Sequence, residues 1–260
     1  MSEELPTRFA APAQGPWSRL PARSQLLAEV GEELRVLVVG GMPVGVLVAG
    51  VGGRLGMLLL RVTSPDSVRG VESDDGFTIG QFTLFGTYNL LLIGAAVGFI
   101  GAAAYRVVAP RLIGPTWFRR VTTGLASAAV VGSLLLHEDG VDFTLLTPTW
   151  LAIGLFVVLP GLFGAVIGPA VDSVAKPESW TAGGRLRSWG LPVLLVVCFP
   201  PTLVLVGLGA AILTCWVPLR DTVLQQVRAS SQYTFVVRCL WLFVAMAGLF
   251  ALGADISVIA

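Results

Sequence analysis

Residues 81–102 read QFTLFGTYNLLLIGAAVGFIGA and contain no charged side chain. An apolar run of about 18 residues or more is long enough to cross the hydrocarbon core of a bilayer as a helix. Comparable runs recur along the chain, whose 260 residues are 55% hydrophobic and only 13% charged. Soluble domains usually carry about 25% charged residues. The sequence therefore predicts an all-α integral membrane protein.

The apolar segments predict a bundle of about six transmembrane helices. They lie at residues 36–60, 82–104, 121–137, 149–171, 190–216 and 233–253. The fifth contains Pro200 and Pro201, which predict a kink or break because proline cannot donate a helix hydrogen bond. A re-entrant pair of helices is the alternative, although each half would be shorter than the bilayer core is thick.

The chain before the first span divides into two parts. Residues 1–23 are rich in proline, alanine and serine and predict a disordered cytoplasmic tail, followed by a single transmembrane domain over residues 24–260. Residues 24–35 place leucine and valine on one helical face. They predict either a short interfacial helix or a solvated extension of the first span.

Arginine and lysine in short loops predict the orientation in the membrane, because such residues favour the cytoplasmic side. They gather in the N-terminal tail and in the loops after spans two and four: Arg8, Arg19, Arg23, Arg35, Arg106, Arg111, Arg119, Arg120, Lys176, Arg185 and Arg187. These segments alternate as expected, so both termini are predicted in the cytoplasm of a plasma-membrane protein. Arg220 and Arg228, in the fifth loop, weakly oppose this orientation.

The beginning of the quoted stretch recurs twice. QFTLF starts at Gln81, DFTLL at Asp142 and QYTFV at Gln232, and each precedes a span. The pattern predicts three repeated helical hairpins, with the repeated element at the outer end of each returning helix. The alternative is that aromatic residues and threonine are common at membrane interfaces in any case.

The predicted outer loops hold most of the candidate ligands. Asp74, Asp75, His137, Glu138 and Asp139 could bind a divalent cation, because calcium, magnesium and manganese prefer oxygen ligands and His137 also admits zinc. No spacing matches a known metal motif. The alternatives are solvated carboxylates, partly paired with arginine, and tight Asp-Gly turns.

Further candidates are the polar residues in or beside the spans. Arg54, Arg61 and Arg238 are predicted near the outer surface, where arginine can pair with the acidic loops or extend to water, and Asp142 could cap the segment that follows it. Asn89, with its neighbours Thr87 and Tyr88, could line a polar vestibule.

Glycine pairs at GxxxG spacing occur in spans one, two and four. Glycines so spaced let helix backbones approach closely, within one chain or in a homo-oligomer.

The run SDDGF at residues 73–77 and QFT at residues 81–83 belong to a segment, residues 63–94, that resembles a family of uncharacterised polytopic membrane proteins from actinobacteria. The resemblance implies a bacterial plasma membrane and no assigned activity.

The net charge of +1 argues against nucleic acid as a partner, and the chain has no recognisable catalytic motif. The leading interpretation is a non-enzymatic accessory, assembly or signalling component, whose partners are the bilayer and either another membrane protein or a second copy. The alternatives are a small cation or solute transporter with an acidic outer vestibule, and a metal-dependent membrane enzyme.

Overall fold

The computed structural model describes residues 23–66, 70, 83–136, 146–184, 186–219 and 231–259, and the regular elements in these ranges are helices. They are α1 (Arg23–Thr63), α2 (Leu84–Val108), α3 (Thr116–Leu135), α4 (Thr149–Ala175), α5 (Leu186–Cys198), α6 (Thr202–Leu219) and α7 (Ser231–Ile259). Four of them, α1, α2, α4 and α7, are long and apolar enough to cross a membrane. The predicted all-α class is therefore confirmed for the described residues, and these four helices are consistent with the predicted membrane protein, whereas the six predicted spans are not confirmed.

Helix α1 runs without interruption through 41 residues, with two wider π-helical segments at Val36–Gly41 and Val46–Val51. Residues 24–35 are thus a helical extension of the first span rather than a separate helix. At 1.5 Å per residue, α1 is about 60 Å long, twice the roughly 30 Å of a hydrocarbon core. We call the end of the bundle at which α1 begins the proximal end, and the end at Thr63 the distal end.

Close contacts between glycines hold α1 against α2, which runs back to the proximal end. Gly41 and Gly45 of α1 lie against the backbone of Gly98 and Gly94 of α2. Because glycine has no Cβ, the two backbones touch directly. The same device joins α3 to α4, where Gly164 lies against the backbone of α3. These GxxxG glycines are therefore used for packing within the chain.

The buried core divides into two apolar clusters. The larger lies where α1, α2, α4 and α5 meet, and includes Met42, Phe99 and Val171. The smaller lies at the distal end, around Leu60 and Leu136.

The predicted fifth span is two helices. Helix α5 ends at Cys198 and α6 starts at Thr202, with Pro200 and Pro201 between them, because neither proline can continue the helix hydrogen-bonding pattern. The ring of Trp189, at the start of α5, covers Gly31 near the beginning of α1. Helix α6 runs back along α1, so both legs point to the proximal end and the pair forms a hairpin. This is the alternative arrangement that the two prolines also allowed.

The hairpin reverses the direction of the last helix. Helix α7 starts at the proximal end, where Nε of Arg238 donates to the carbonyl oxygen of Arg111 at 3.2 Å. It ends at the distal end, where Leu252 packs with Leu60. Arg23 and Ile259, the first and last described residues, therefore lie at opposite ends of the bundle, and the side of a membrane on which each terminus lies stays a prediction.

The new direction also affects the predicted repeat. Thr83, of the first copy, caps α2 at the distal end, and Thr147, which directly follows the second copy, lies at the same end, where the side chain of Ser64 bonds to its backbone. Residues 142–145 of the second copy lie outside the described residues. The third copy, beginning at Gln232, starts a helix at the proximal end. It therefore cannot occupy the position that the repeat assigned to it.

Candidate functional site

Polar side chains converge at the proximal end, around Arg35 of α1. Arg35 is only 2% exposed. Its Nε donates to Oε2 of Glu32 at 2.8 Å, and its Nη2 donates to Oε1 of the same carboxylate at 2.5 Å. Two parallel charge-assisted bonds of this kind are stronger than neutral hydrogen bonds. Because the Glu32 side chain is 54% exposed, the pair connects a buried cation to the surface of the bundle.

The same guanidinium joins α1 to two later parts of the chain. Its Nη2 also donates to the carbonyl oxygen of Val174, near the end of α4, at 3.0 Å. Its Nη1 donates to Oγ1 of Thr181, in the connection between α4 and α5. The Thr181 hydroxyl is also 2.8 Å from that of Ser179. Arg35 therefore fixes this connection against the first helix.

Two further polar pairs join the helices around Arg35. Nε and Nη2 of Arg106, on α2, donate to the carboxylate of Glu33 at 3.1 and 2.6 Å. The hydroxyl of Tyr105 donates to Oδ2 of Asp172, on α4, at 2.8 Å. We call Glu32, Glu33, Arg35, Tyr105, Arg106, Asp172 and Thr181 the proximal polar cluster. It links α1, α2 and α4 at one level of the bundle.

The chemistry of this cluster is that of a structural clamp. Arg35 and Arg106 are each matched by a neighbouring glutamate, and the Asp172 carboxylate accepts from a tyrosine. Activated nucleophiles need a base within hydrogen-bonding reach, and the described contacts of the cluster include no serine or cysteine bonded to a histidine. The cluster therefore stabilises the packing of α1 against α2 and α4.

One local pattern in the sequence indicates part of this cluster. Residues 32–35 read EELR, which places Glu32 and Arg35 one helical turn apart. The charge pattern alone places Arg35 among the arginines of the predicted cytoplasmic tail. Its partner Thr181 lies 146 residues away, and no local pattern points to it.

The predicted metal ligands lie outside the part of the chain that the structure describes. These residues are Asp74, Asp75, His137, Glu138 and Asp139, together with Asp142. Among the described residues, no three histidine, cysteine, aspartate or glutamate side chains come close enough to hold a metal ion. The divalent-cation site stays a prediction.

The other predicted polar residues are spread over both ends. Arg54 and Arg61, both partly buried, lie on the distal half of α1, and Asn89 lies near the distal end of α2. Arg238, predicted near the outer surface with Arg54, lies at the opposite end of the bundle, because α7 runs in the reverse direction. The structure therefore does not bring these four residues together.

One vestibule candidate contacts another helix. The hydroxyl of Tyr88 donates to the carbonyl oxygen of Cys198 at 3.1 Å, and its ring stacks on Phe199 at a centroid distance of 6.1 Å. Cys198 is the last residue of α5, so its carbonyl has no helical partner further along. Tyr88 supplies that partner. The neighbouring Thr87 bonds within its own helix, to the carbonyl oxygen of Thr83.

Comparison of the chain with protein-family models, with curated proteins and with solved structures gives no match.

Proposed function

We propose that the protein is a non-enzymatic, multi-pass membrane component that acts as an accessory, assembly or signalling partner of another membrane protein. Support comes from the proximal polar cluster, whose charges are paired with one another, and from an apolar interior closed by glycine contacts. Neither feature resembles a site that binds and transforms a substrate.

The observation that carries the proposal is the shallow attachment of α7. Only 11% of the most apolar 18-residue stretch of α7 is buried inside the bundle, compared with 56% of the corresponding stretch of α1. Gly248 and Leu252 pack against α3, whereas Phe243, Met246 and Phe250 are exposed on the opposite face. Large aromatic and methionine side chains are enriched at protein interfaces. This face is the surface that we assign to the partner.

Site-specific photo-crosslinking in native membranes tests this assignment. A crosslinking amino acid at position 243, 246 or 250 should form an adduct of one defined mass, because these positions share one helical face. The control is Ile100 of α2, which is 55% exposed but belongs to a more deeply packed helix. Adducts of equal yield from Ile100, or no protein adducts from α7, would reject the proposal.

A small transporter or channel is the second candidate, supported by the break between α5 and α6. Interrupted helices inside a membrane bundle form the binding sites of many transporters. Tyr88 of α2 donates a hydrogen bond to Cys198 at the break, so a movement of the hairpin would displace a side chain of the neighbouring span α2. Reconstituted vesicles should then show cation or solute flux that changes in Tyr88→Phe. Flux no higher than in protein-free vesicles would reject transport.

The orientation that we propose places the proximal end in the cytoplasm of a bacterial plasma membrane. Basic side chains at this end include Arg23, Arg106, Arg111, Arg119, Arg120, Lys176 and Arg187. Helix α6 ends and helix α7 begins at this end, so this orientation does not conflict with Arg220 and Arg228, which lie outside the described residues. The resemblance to actinobacterial proteins supports the location.

The same proposal modifies the number of spans. Helices α1, α2, α3, α4 and α7 would cross the membrane, and α5 with α6 would form a hairpin that enters and leaves on the cytoplasmic side. Helix α3 has 20 residues, which is about 30 Å and enough to cross. A duplication would then extend at most to the first two hairpins.

A further inference from the structure

Arg111, Arg119 and Arg120 lie in or just after the turn between α2 and α3, and Arg238 of α7 bonds to that turn. We call Arg111, Arg119, Arg120 and Arg238 the arginine patch. Arg238 bonds to the carbonyl oxygen of Arg111, and the Arg111 guanidinium lies 5.2 Å from the ring centre of Tyr233. These contacts fix the first turns of α7 to the α2–α3 turn.

The patch differs in charge from the proximal polar cluster. The bonds described for Arg111, Arg119 and Arg238 run to backbone carbonyl groups and to the Tyr233 hydroxyl, whereas Arg35 and Arg106 bind glutamates. Residues 107–123 and 231–254 contain no aspartate or glutamate. Backbone carbonyl groups hold the Arg111 and Arg238 guanidinium groups in place without cancelling their charge, whereas Arg119 also lies close enough to Tyr105, the partner of Asp172, to act on it electrostatically. Arg111 and Arg238 therefore supply the main positive charge of the patch.

Apolar and aromatic side chains surround the patch. Ile113 and Trp117 are 58% and 66% exposed, and Phe118 is exposed beside them. On α7, Gln232, Phe235, Val236 and Arg238 line a shallow, open depression. A surface that combines fixed arginines, an amide and exposed aromatic groups at the end of membrane helices matches an anionic headgroup with its adjoining acyl chains.

We propose that the arginine patch binds an anionic phospholipid, with the phosphate at the guanidinium groups and the acyl chains along Ile113, Trp117 and Phe235. A lipid is favoured over a free phosphate ion because the patch borders α2 and α7, which are long and apolar enough to cross a membrane, and because Ile113, Trp117 and Phe235 are exposed beside it. Arginine also suits this role because its planar fork can bind two phosphate oxygens at once.

The experiment is native mass spectrometry of the detergent-purified full chain, titrated with phosphatidylglycerol and, separately, with phosphatidylcholine of the same acyl chains. Phosphatidylglycerol should bind more tightly. A basic residue near a membrane surface contributes about fivefold to the attraction of anionic lipid. The double variant R111Q/R238Q should therefore weaken phosphatidylglycerol binding by roughly 10- to 30-fold and leave phosphatidylcholine binding unchanged.

The matched control is K176Q/R187Q, which removes two exposed charges from the same end of the bundle but outside the patch. It should change phosphatidylglycerol binding by less than about twofold. The single variant R120Q covers the case in which R111Q/R238Q fails to fold, because Arg120 is exposed at the start of α3; it should weaken binding by about fivefold.

Three results would overturn the proposal. Equal binding of the two lipids would remove the role of charge. If R120Q or R111Q/R238Q weakens phosphatidylglycerol binding no more than the control variant K176Q/R187Q does, the positive charge is spread over the surface and does not form a site. Displacement of phosphatidylglycerol by millimolar inorganic phosphate would assign the patch to a free anion instead of a lipid.

Discussion

Replacing Gly94 by alanine should destabilise the bundle by forcing α1 and α2 apart. A Cβ at position 94 would lie 2.7 Å from the carbonyl oxygen of Gly45 and 2.9 Å from the backbone nitrogen of Gly50. Ordinary contacts begin at 3.4 Å, and backbone atoms cannot rotate away as a side chain can. The helices would have to separate locally by about 0.7 Å, a gap that forfeits a quarter to a half of each contact's dispersion energy.

We expect Gly94→Ala to lower the free energy of unfolding by about 2 kcal/mol, in the range usual for overpacked interiors. The assay is unfolding in mixed micelles with increasing dodecyl sulfate, followed by circular dichroism. Gly53→Ala is the matched control, since its Cβ would face α2 at 3.7 Å from a Leu90 methyl group. It should change stability by less than about 0.5 kcal/mol. Equal effects of the two substitutions would refute the reasoning, and association of wild-type chains that Gly94→Ala abolishes would show that the glycines serve an oligomer.

Three other perturbations test the clamp, the hairpin and the orientation. Arg35→Met should lower the free energy of unfolding by about 2 kcal/mol. This is less than the roughly 3–5 kcal/mol usual for a broken buried ion pair, because Glu32 is half exposed and its carboxylate can be rehydrated. Wild-type stability of the variant in the same dodecyl sulfate titration would contradict this expectation. Tyr88→Phe should lower it by about 1 kcal/mol through loss of one hydrogen bond to Cys198, and an unchanged unfolding midpoint would show that the bond contributes nothing. We expect alkaline phosphatase fused after Ala260 to be active and green fluorescent protein fused there to be non-fluorescent, because the proposed orientation places the end of α7 outside the cytoplasm. An inactive phosphatase and a fluorescent fusion would place that end in the cytoplasm instead.

The sequence predicted the position of the longest apolar segments well, because long uncharged runs need only local information, but it predicted six spans where four described helices are long and apolar enough to cross a membrane. The predicted segment 149–171 lies inside α4, whereas the predicted segment 82–104 starts two residues before α2; both helices end four residues beyond the predicted segment. The direction in which each later helix runs was harder to predict. Pro200 and Pro201 predicted a break in the helix. Whether the chain continues or turns back at the break depends on packing against α1 and Tyr88, and the two prolines alone do not determine that packing.

The polar contacts were the least predictable part. In the sequence, Arg35 is indistinguishable from the other arginines of the predicted cytoplasmic tail, because its partners Val174 and Thr181 are distant in sequence. The third repeat failed for a related reason. Glutamine, tyrosine and threonine at residues 232–234 suit a membrane interface, but such residues do not distinguish one interface from the other.

The distance along the chain between Arg35 and Thr181 has a consequence for biosynthesis. Thr181 follows Arg35 by 146 residues, and a ribosome that adds about 5–20 residues per second needs roughly 7 to 30 s to supply it. During that interval α1 has already emerged, and Glu32, one turn earlier, is a counter-ion available from the start. We expect chains arrested before Thr181 to insert α1 less efficiently when Glu32 is replaced by glutamine; equal insertion would exclude this role. Glu32 would thus serve as an early counter-ion for its own helix, compensating the positive charge of Arg35 until the rest of the clamp has been synthesised.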